Sequence, residues 1–367
     1  MKNKRAFPVL ALLSVTLLCS CQKPTPSPSE YVSEMNLFST KEEVRILQLT
    51  DNHWSFHSDL PREKAYLTAL IKNSEPDIVM CTGDQFLSVN TDIVDKIYAT
   101  IDEVCGEIGA KWGVTFGNHE KQGYYSPSYP DQVLKTKVNT FYKGLDDNLT
   151  GQSNYVLNLT DGTKTIWQLY SIDSGSFEYP GVGISYDYAS IAKDQIDWYV
   201  DQSNAAKAAN PDVQSLLFYH IPLWQVAYAY RLSQGEAAPG EINSFVGTCE
   251  EPVWTIDGLG STPVYAGARD TGLFAAAEAQ NNCRGMFFGH DHLNDFAATY
   301  RDDPTKDFIP LVYGLKSSDG LTFIDGKIGG TIIRARKNGT ISYERAYQTY
   351  QQDYSGQAGF RIQEMNL

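Results

Sequence analysis

The sequence lacks the signature motifs of several large protein classes. It contains no GxGxxG and no GxxxxGKS/T pattern, which argues against a dinucleotide-binding Rossmann domain and against a P-loop NTPase. It has no CxxC pair, which argues against a zinc ribbon and against a thioredoxin-like redox site. Net basic charge is also missing. The formal charge of -14 and the pI of about 4.9 argue against a nucleic-acid-binding surface.

A long apolar segment is absent as well, because the run over 6–18 is too short to span a bilayer. It follows a basic start and precedes Leu18-Cys19-Ser20-Cys21, which is similar to a bacterial lipobox. We therefore expect a signal peptide over 1–20, cleavage before Cys21 and a lipid on its sulfur. The Pro-rich residues that follow predict a flexible tether over 21–40. The protein is then exported and anchored to a bacterial membrane through its lipid only, on the periplasmic or cell-surface side; the alternative is a soluble exported protein.

Few cysteines remain once the signal peptide is removed and Cys21 is lipidated. They are Cys81, Cys105, Cys249 and Cys283. Outside the cytoplasm these four could pair in three connectivities, and the sequence does not choose between them. A buried free thiol fits Cys81 at least as well, because this residue lies on a predicted core strand.

Strands alternate with helices at the start of the single domain that we predict over 41–367. Apolar patterns predict strands over 44–49, over 77–80 and around Trp112, with helices over 62–72 and 92–108 between them. This alternation indicates a mainly parallel α/β sheet. Further along the chain we expect a helix over 132–143, a hairpin of 155–159 and 165–172, a helix over 190–208 capped by Ser190, a helix over 271–280, and strands over 295–301, 308–313, 330–336 and 341–347. The last four strands are expected to form a second sheet, and 225–270 to be a long loop insertion near the site.

Histidine is scarce, and most of its residues follow predicted strands. Of six histidines, only His57 lies outside this pattern. The motifs at the strand ends are Asp51-x-His53, Gly83-Asp84, Gly117-Asn118-His119-Glu120, His220 and Gly289-His290-Asp291-His292. Because alternate residues of an extended segment point to the same side, Asp51 with His53, and His290 with His292, can face one metal cluster. We therefore expect one site at the edge of a sheet.

The residue types at these strand ends suit a pair of metal ions. Nitrogen and oxygen ligands without a thiolate fit two ions of iron, manganese, zinc or cobalt. Asp84 could bridge both ions, since a carboxylate has two oxygens. If Asp51 and Asp84 are the only charged ligands, two divalent ions leave the site positive, which attracts phosphate.

In their order along the chain, these motifs resemble the calcineurin-like metallophosphoesterase superfamily, which includes the purple acid phosphatases. Asp173-Ser174-Gly175 and Phe218-Tyr219-His220-Ile221-Pro222 are most similar to a subgroup that contains plant purple acid phosphatase 29 and related yeast phosphatases. The resemblance implies a four-layer αββα sandwich of two mixed sheets. It also implies two ions, one held by Asp51, His53, Asp84 and His292, and the other by Asp84, Asn118, His220 and His290.

The same resemblance implies an activity. A metal-activated hydroxide would hydrolyse small-molecule phosphate monoesters outside the cytoplasm, and His119 would protonate the leaving alkoxide or hold the phosphoryl group. The alternatives are a phosphodiesterase acting on nucleotide or glycerophospho-type substrates, and a non-catalytic ligand-binding lipoprotein. We expect a monomer without a nucleic-acid-binding surface.

The sequence departs from the superfamily at Leu87. Purple acid phosphatases have a tyrosinate ligand at this place, and calcineurin-type phosphatases have an aspartate that orients the catalytic histidine. The orientation of His119 therefore stays open, with Glu120 or Asp51 as possible partners. Glu120 could equally be a structural group behind the ligands.

Other residues near the motifs have weaker signals. Six aromatic residues beside the strand ends could form a wall for an organic leaving group. They are Tyr124, Tyr125, Tyr129, Trp224, Tyr228 and Tyr230. Lys316 and Arg231 could contact phosphate oxygens, although a solvated surface position is the preferred interpretation for both.

Overall fold

The computed structural model describes residues 31–144, 149–178 and 187–367. The predicted signal peptide and the first part of the predicted tether lie outside the described residues. The last part of that tether is folded: Val32–Met35 form an edge strand, and Phe38 is fully buried. The folded unit therefore starts before residue 41.

Strands dominate the fold, and the helices are few. The strands are β1 (Val32–Met35), β2 (Glu43–Leu49), β3 (Ile78–Thr82), β4 (Lys111–Thr115), β5 (Tyr155–Thr160), β6 (Thr165–Ser171), β7 (Phe177–Glu178), β8 (Asp187–Tyr188), β9 (Gln214–Phe218), β10 (Glu241–Val246), β11 (Trp254–Ile256), β12 (Gly260–Thr262), β13 (Cys283–Phe288), β14 (Ala297–Arg301), β15 (Ile309–Tyr313), β16 (Gly329–Arg336), β17 (Ile341–Gln348) and β18 (Phe360–Met365). The helices are α1 (Leu60–Ser74), α2 (Thr91–Ile108), α3 (Tyr129–Leu134), α4 (Lys193–Ala209), α5 (Trp224–Ser233) and α6 (Leu273–Gln280), with a 3₁₀ turn over His119–Lys121.

The first large sheet has the strand order β18-β17-β16-β2-β3-β4. Strands β2, β3 and β4 run parallel, and α1 and α2 are their connections. The two helices pack against each other and against this sheet. The predicted alternation of strands and helices is therefore confirmed here.

The second large sheet has the order β1-β5-β6-β9-β13-β15-β14-β10. It contains the predicted β5–β6 hairpin and the predicted strands β14 and β15. The prediction was wrong for β16 and β17, which belong to the first sheet, because β16 pairs antiparallel with β2. Strand partners that are far apart in sequence leave no signal in the periodicity of either strand.

The two sheets pack face to face. Tyr155 donates a hydrogen bond to the Val114 carbonyl at 3.1 Å, and the Gln48 amide donates to the Phe288 carbonyl, also at 3.1 Å. Each of these bonds joins one sheet to the other. With α1 and α2 on the first sheet and α6 on the second, the fold is the predicted α/β sandwich of two mixed sheets.

Two of the predicted helices need correction. The helix expected over 132–143 is the short α3, and α4 begins at Lys193 instead of Ser190. At the start of α4 the Gln195 side chain accepts a hydrogen bond from the Ala192 amide at 2.8 Å, which satisfies an N-terminal donor without Ser190.

The region over 225–270, which we expected to be a loop, also contains regular structure. It includes most of α5, the strand β10 at the edge of the second sheet, and the β11–β12 hairpin. Helix α5 packs on β10 and β14. The segment lacks a clear sequence period because it is made of short elements separated by glycines.

All four cysteines outside the N-terminal segment are free thiols, and Cys81, Cys105 and Cys283 are buried. The free-thiol interpretation of Cys81 is confirmed. Among the described residues, no helix combines the length and the apolar composition that crossing a membrane requires.

Arg345 is a buried cation that joins the sheets, and its removal should be costly. Its guanidinium donates to the Tyr313 carbonyl, the Thr331 hydroxyl and the Asp295 carbonyl, each at 2.6 Å. Arg345→Met leaves these acceptors unpaired, so we expect the free energy of unfolding in urea to fall by about 2–4 kcal/mol.

The matched control for this prediction is Arg361→Met on the exposed edge strand β18. Arg361 stacks on the Tyr347 ring at 3.6 Å but lies in solvent, so its loss should cost less than about 1 kcal/mol. Equal losses for the two variants would contradict the assignment of Arg345 as an inter-sheet link.

Candidate metal centre

The polar motifs meet at one edge of the sandwich. Strands β2, β3 and β4 of the first sheet end at the motifs of Asp51, Asp84 and Asn118, and β9 and β13 of the second end at those of His220 and His290. Cross-sheet contacts bring the motifs together. Thr82 accepts a hydrogen bond from His220, and the Asp51 carboxylate accepts one from the His290 amide.

The side chains form three groups that could each hold a metal ion: the two described next, and a third of His53, Asp84 and His119 that shares one residue with each of them. In the first, Asp51 Oδ1 lies 3.4 Å from His53 Nε2 and 3.5 Å from His292 Nε2. In the second, Asp84 joins His220 and His290. There, His220 Nε2 lies 3.1 Å from Asp84 Oδ2 and 3.3 Å from His290 Nδ1.

Asp84 lies between the two groups. Its Oδ2 is also 3.7 Å from His53 Nε2, and that nitrogen belongs to the first group. Its Oδ1 accepts a hydrogen bond from the His119 amide at 2.8 Å, which fixes the carboxylate plane. This position is the one a bridging carboxylate requires.

Several buried polar atoms in the site have no hydrogen-bond partner among the described residues. They are Asp51 Oδ1, Asn118 Oδ1, His290 Nε2 and both ring nitrogens of His53. A buried donor or acceptor without a partner costs about 1–3 kcal/mol, and a charged one costs more. A metal ion would satisfy the atoms that face the ligand groups, such as Asp51 Oδ1 and His53 Nε2, so the residues fit the pair of ions that the sequence predicted. The donor set, without a thiolate, suits iron, manganese, zinc or cobalt.

Neighbouring groups aim the ligand atoms at the site. Asp51 Oδ2 accepts from the Thr50 hydroxyl at 2.7 Å and from the His290 amide at 3.0 Å, which leaves Oδ1 free to face the site. His220 Nδ1 lies 2.7 Å from the Thr82 carbonyl. Because a carbonyl only accepts, Nδ1 carries a proton, so Nε2 is the nitrogen that faces the site.

The backbone is strained where it presents the ligands. Asp51, His53, Asp84 and His290 have φ angles of 56°, 50°, 54° and 82°, in the left-handed region that non-glycine residues rarely adopt. Each such residue costs of the order of 1–2 kcal/mol, and such strain concentrates at functional sites.

Two glycines next to ligands are required by close approaches. A Cβ on Gly117 would lie 2.2 Å from Asp84 Oδ1, and one on Gly289 would lie 2.0 Å from the Thr50 hydroxyl. In these two motifs, the glycine before the ligand therefore makes room for a side-chain oxygen from the end of another strand.

Glu120 supports the site from behind. Its buried carboxylate accepts from the amides of Asp84 at 2.9 Å, Gly117 at 2.8 Å and Gln85 at 2.8 Å. Burial and the charge of Asp84 raise the pKa of Glu120 to about 7. The structural interpretation of Glu120 is therefore correct, because its carboxylate holds the loops that carry Asp84 and Asn118.

His119 is oriented by neither of the partners that the sequence suggested. Glu120 bonds backbone amides, and within the described part of the chain His119 Nδ1 is buried without a hydrogen-bond partner. The imidazole is held by its backbone bond to Asp84 and by edge-on packing against the His53 ring, with 5.1 Å between the ring centroids. Its Nε2 lies 3.9 Å from Asp84 Oδ2.

Lys316 is a site residue that the sequence interpretation missed. We expected it at the surface, but only 3% of it is exposed, and its ammonium donates to the Asp51 carbonyl. The adjacent Ser317 bonds both the amide and the carbonyl of Thr50, at 2.9 and 2.8 Å. Burial lowers the pKa of Lys316 to about 8. The position of Lys316 in the sequence could have revealed its role. It comes shortly after strand β15 and Gly314, just as the ligand motifs come after a strand and often a glycine.

The carboxylates also determine the protonation of His220. Burial lowers the pKa of this histidine, but Asp84 and Asp51 outweigh that effect and raise it to about 10. A proton on His220 would therefore compete with a metal ion for the same nitrogen.

A cavity of about 300 Å³ opens over the site. Asp84, Asn118, His119, His290 and His292 line its floor. Of the described residues that line it, none belongs to the six aromatics that we expected to form a wall, and Tyr124 is 76% exposed. The wall consists of Tyr188 and Tyr265 instead, with Glu251, Pro252, Leu293 and Thr322.

Curated relatives and one solved structure resemble this chain over most of its length. It is 24% identical over 342 residues to a probable inactive purple acid phosphatase 14 from Arabidopsis thaliana, covering 81% of this chain and 78% of that protein. It is 23% identical over 330 residues to a probable inactive purple acid phosphatase 29 from the same plant, covering 80% and 78%. A crystal structure of a dimetal phosphatase from Danio rerio has a TM-score of 0.51 at 10% identity, covers 82% of this chain and 95% of that chain, and supports the fold alone.

A family model also matches the part of the chain that holds every ligand motif. The calcineurin-like phosphoesterase model aligns with residues 44–294, which begin at strand β2 and end just beyond His292. This span covers more than half of the sequence. The chain therefore belongs to the calcineurin-like phosphoesterase family.

Proposed function

We propose that this protein is a two-metal phosphohydrolase that cleaves phosphate monoesters. The observation that carries the proposal is the convergence of the predicted ligand residues at one site, where Asp51 Oδ1, Asn118 Oδ1 and His53 Nε2 are buried without a hydrogen-bond partner among the described residues. Asp51, His53, Asp84 and His292 would hold one ion, and Asp84, Asn118, His220 and His290 the other. Two ions in such a site supply an acidified water and positive charge beside the phosphoryl oxygens.

The chain's own residues would position the reactants. Thr50, Thr82 and Glu120 keep the ligands in place through the hydrogen bonds described above. His119 lines the cavity with 22% of its side chain exposed. Its ring can therefore reach the leaving oxygen of a bound ester and donate a proton to it, a contribution of about 10²–10⁴ in rate.

The names of the plant relatives raise the alternative of a non-catalytic protein. Both are called probable inactive purple acid phosphatases. This chain has Leu87 where purple acid phosphatases have their tyrosinate, but Leu87 does not line the cavity, and the seven predicted ligands are all present. A site that had lost its chemistry would be expected to lack at least one of them.

The proposed location is outside the cytoplasm, with a lipid anchor at Cys21. Its support is the N-terminal sequence alone, which lies outside the described residues.

Replacing the bridging carboxylate should remove both metal and turnover. We expect Asp84→Asn to retain less than half of the metal of the wild-type protein and to lose about 100-fold or more in kcat on p-nitrophenyl phosphate. Elemental analysis of protein purified without added metal, run beside the assay, measures both quantities. The corresponding diester, bis(p-nitrophenyl) phosphate, should be hydrolysed more slowly than p-nitrophenyl phosphate.

The control is Asp201→Asn, which makes the same chemical change on the exposed face of α4. It should keep full metal content and activity. If the wild-type protein contained metal but hydrolysed neither ester, the enzyme proposal would be wrong.

Loss of His119 should affect chemistry more than metal binding. We expect His119→Gln to keep its metal and to lose about 10²–10⁴ in kcat on alkyl phosphates, whose leaving groups need a proton. The loss on p-nitrophenyl phosphate should be smaller, because that leaving group is stable as an anion. His57→Gln, on an exposed loop, is the matched control. Equal losses on both ester types would argue against proton donation.

Metal affinity should depend on pH because His220 must lose its proton. With a pKa raised to about 10, His220 is protonated at neutral pH, and metal binding releases that proton. Affinity should therefore fall as pH falls, by about tenfold per unit between about pH 6 and 8. Calorimetric titrations in buffers of different ionisation enthalpy measure the proton release. An affinity that stays constant over this range would contradict the assignment of His220 as a ligand.

A further inference from the structure

The part of the cavity lining that lies outside the ligand cluster has a distinct chemistry. It presents two phenol rings, Tyr188 and Tyr265, and one carboxylate, Glu251, with the neutral side chains of Pro252, Leu293 and Thr322. No lysine or arginine of the described chain is among the residues that line the cavity. A phosphoryl group over the ligand cluster would therefore place the alcohol part of an ester against aromatic and neutral groups and one carboxylate.

This wall is fixed to the same turn that carries two of the ligands. The Glu251 carboxylate accepts a hydrogen bond from the Leu293 amide at 2.8 Å, next to His292. The Tyr265 amide donates to the buried Asp291 carboxylate at 3.1 Å. The Tyr188 ring meets the His290 ring edge-on, with 4.2 Å between the centroids. The wall is thus positioned relative to the metal centre and not free to move away from it.

The wall carries one negative charge, that of Glu251, and no cationic side chain of the described lining neutralises it. Burial, with the charges of Glu251 and Asp291, raises the pKa of Tyr265, so its phenol is neutral at pH 7. Lys327, near Glu251 in the fold, binds Glu250 and Asp295 at 3.0 and 3.4 Å. It is not part of the lining, so Glu251 is the charge that a substrate would meet.

Such a wall discriminates between esters by the charge of their alcohol. A second phosphate or a carboxylate on the leaving group would approach Glu251 with no lysine or arginine in the described lining to offset the repulsion. An ammonium group would gain from the carboxylate, and from the faces of the tyrosine rings if it is placed over them. The volume of about 300 Å³ is at the lower end for ligand pockets, which favours a small alcohol.

We propose that the preferred substrates are phosphate monoesters of small amino alcohols, whose cationic nitrogen is recognised by Glu251 and the rings of Tyr188 and Tyr265. This inference rests on the proposed phosphatase function and adds the substrate class. In the reaction, a water oxygen bonds to phosphorus while the phosphorus–alcohol oxygen bond breaks. The alcohol oxygen takes a proton from His119; of the two water protons, one stays on the phosphate and the other returns to His119. The products are the amino alcohol and inorganic phosphate.

The test compares small esters that differ in the charge of the alcohol. Phosphoethanolamine and phosphocholine carry a cation, glycerol 3-phosphate is uncharged at its alcohol, and 3-phosphoglycerate carries a carboxylate. We expect kcat/KM to fall in that order, with about tenfold or more between the cationic and the anionic esters.

Variants identify the groups responsible. Glu251→Gln keeps an acceptor for the Leu293 amide, so the turn should stay in place while the charge is lost. The ratio of kcat/KM for phosphoethanolamine over 3-phosphoglycerate should fall by about five- to tenfold. Tyr265→Leu should lower the ratio of phosphocholine over glycerol 3-phosphate by about threefold or more. Glu107→Gln, at the exposed end of α2, makes the same charge change and should leave both ratios unchanged.

The outcomes separate the two proposals. If p-nitrophenyl phosphate is hydrolysed but the wild-type protein shows no preference for cationic esters, the substrate class is wrong and the phosphatase function stands. The same conclusion follows if Glu251→Gln leaves the first ratio unchanged. If the metal-loaded protein hydrolyses none of these esters, the proposed function fails and this inference fails with it.

Discussion

The structure depends on the burial of a cluster of carboxylates and imidazoles, several of whose polar atoms have no hydrogen-bond partner among the described residues. Asp84 is the central one: its Oδ2 lies within 4 Å of His53, His119 and His220, residues that both sheets contribute. Removing a carboxylate and several imidazoles from water costs several kcal/mol unless opposite charge compensates it. Cations held between the two sheets would provide that compensation and would add to the few bonds that join the sheets at this edge, such as the one from the Ser317 amide to the Thr50 carbonyl.

A layer of supporting residues explains how the chain tolerates this arrangement. The Glu120 carboxylate ties together the loops after β3 and β4, and Lys316 with Ser317 ties down the loop after β2. These loops contain the left-handed residues Asp51, His53 and Asp84, whose backbone strain must be balanced by such bonds. The supporting residues therefore fix the ligand geometry without contacting a substrate.

The sequence predicted which polar residues meet at one edge of the sandwich because they follow a local rule. Each comes directly after an apolar strand, often with a glycine before it, and this pattern can be read without knowing which strands pair. The pattern could not assign β16 and β17 to a sheet, since the pairing of β16 with β2, which brings β17 along, spans most of the chain. The aromatic wall was also predicted wrongly, because Tyr188 on β8 and Tyr265 after β12 are far in sequence from any ligand motif. Lys316 looked like a surface residue because a lone lysine has no periodicity to show its burial.

The most direct test of this account is the location of metal in crystals of the protein purified without added metal. Anomalous diffraction at the absorption edges of iron, manganese, zinc and cobalt should reveal two ions that share Asp84. One should lie beside Asp51, His53 and His292, and the other beside Asn118, His220 and His290. A crystal grown in the presence of these metals that shows no ion between the residues, or a single ion away from Asp84, would contradict it.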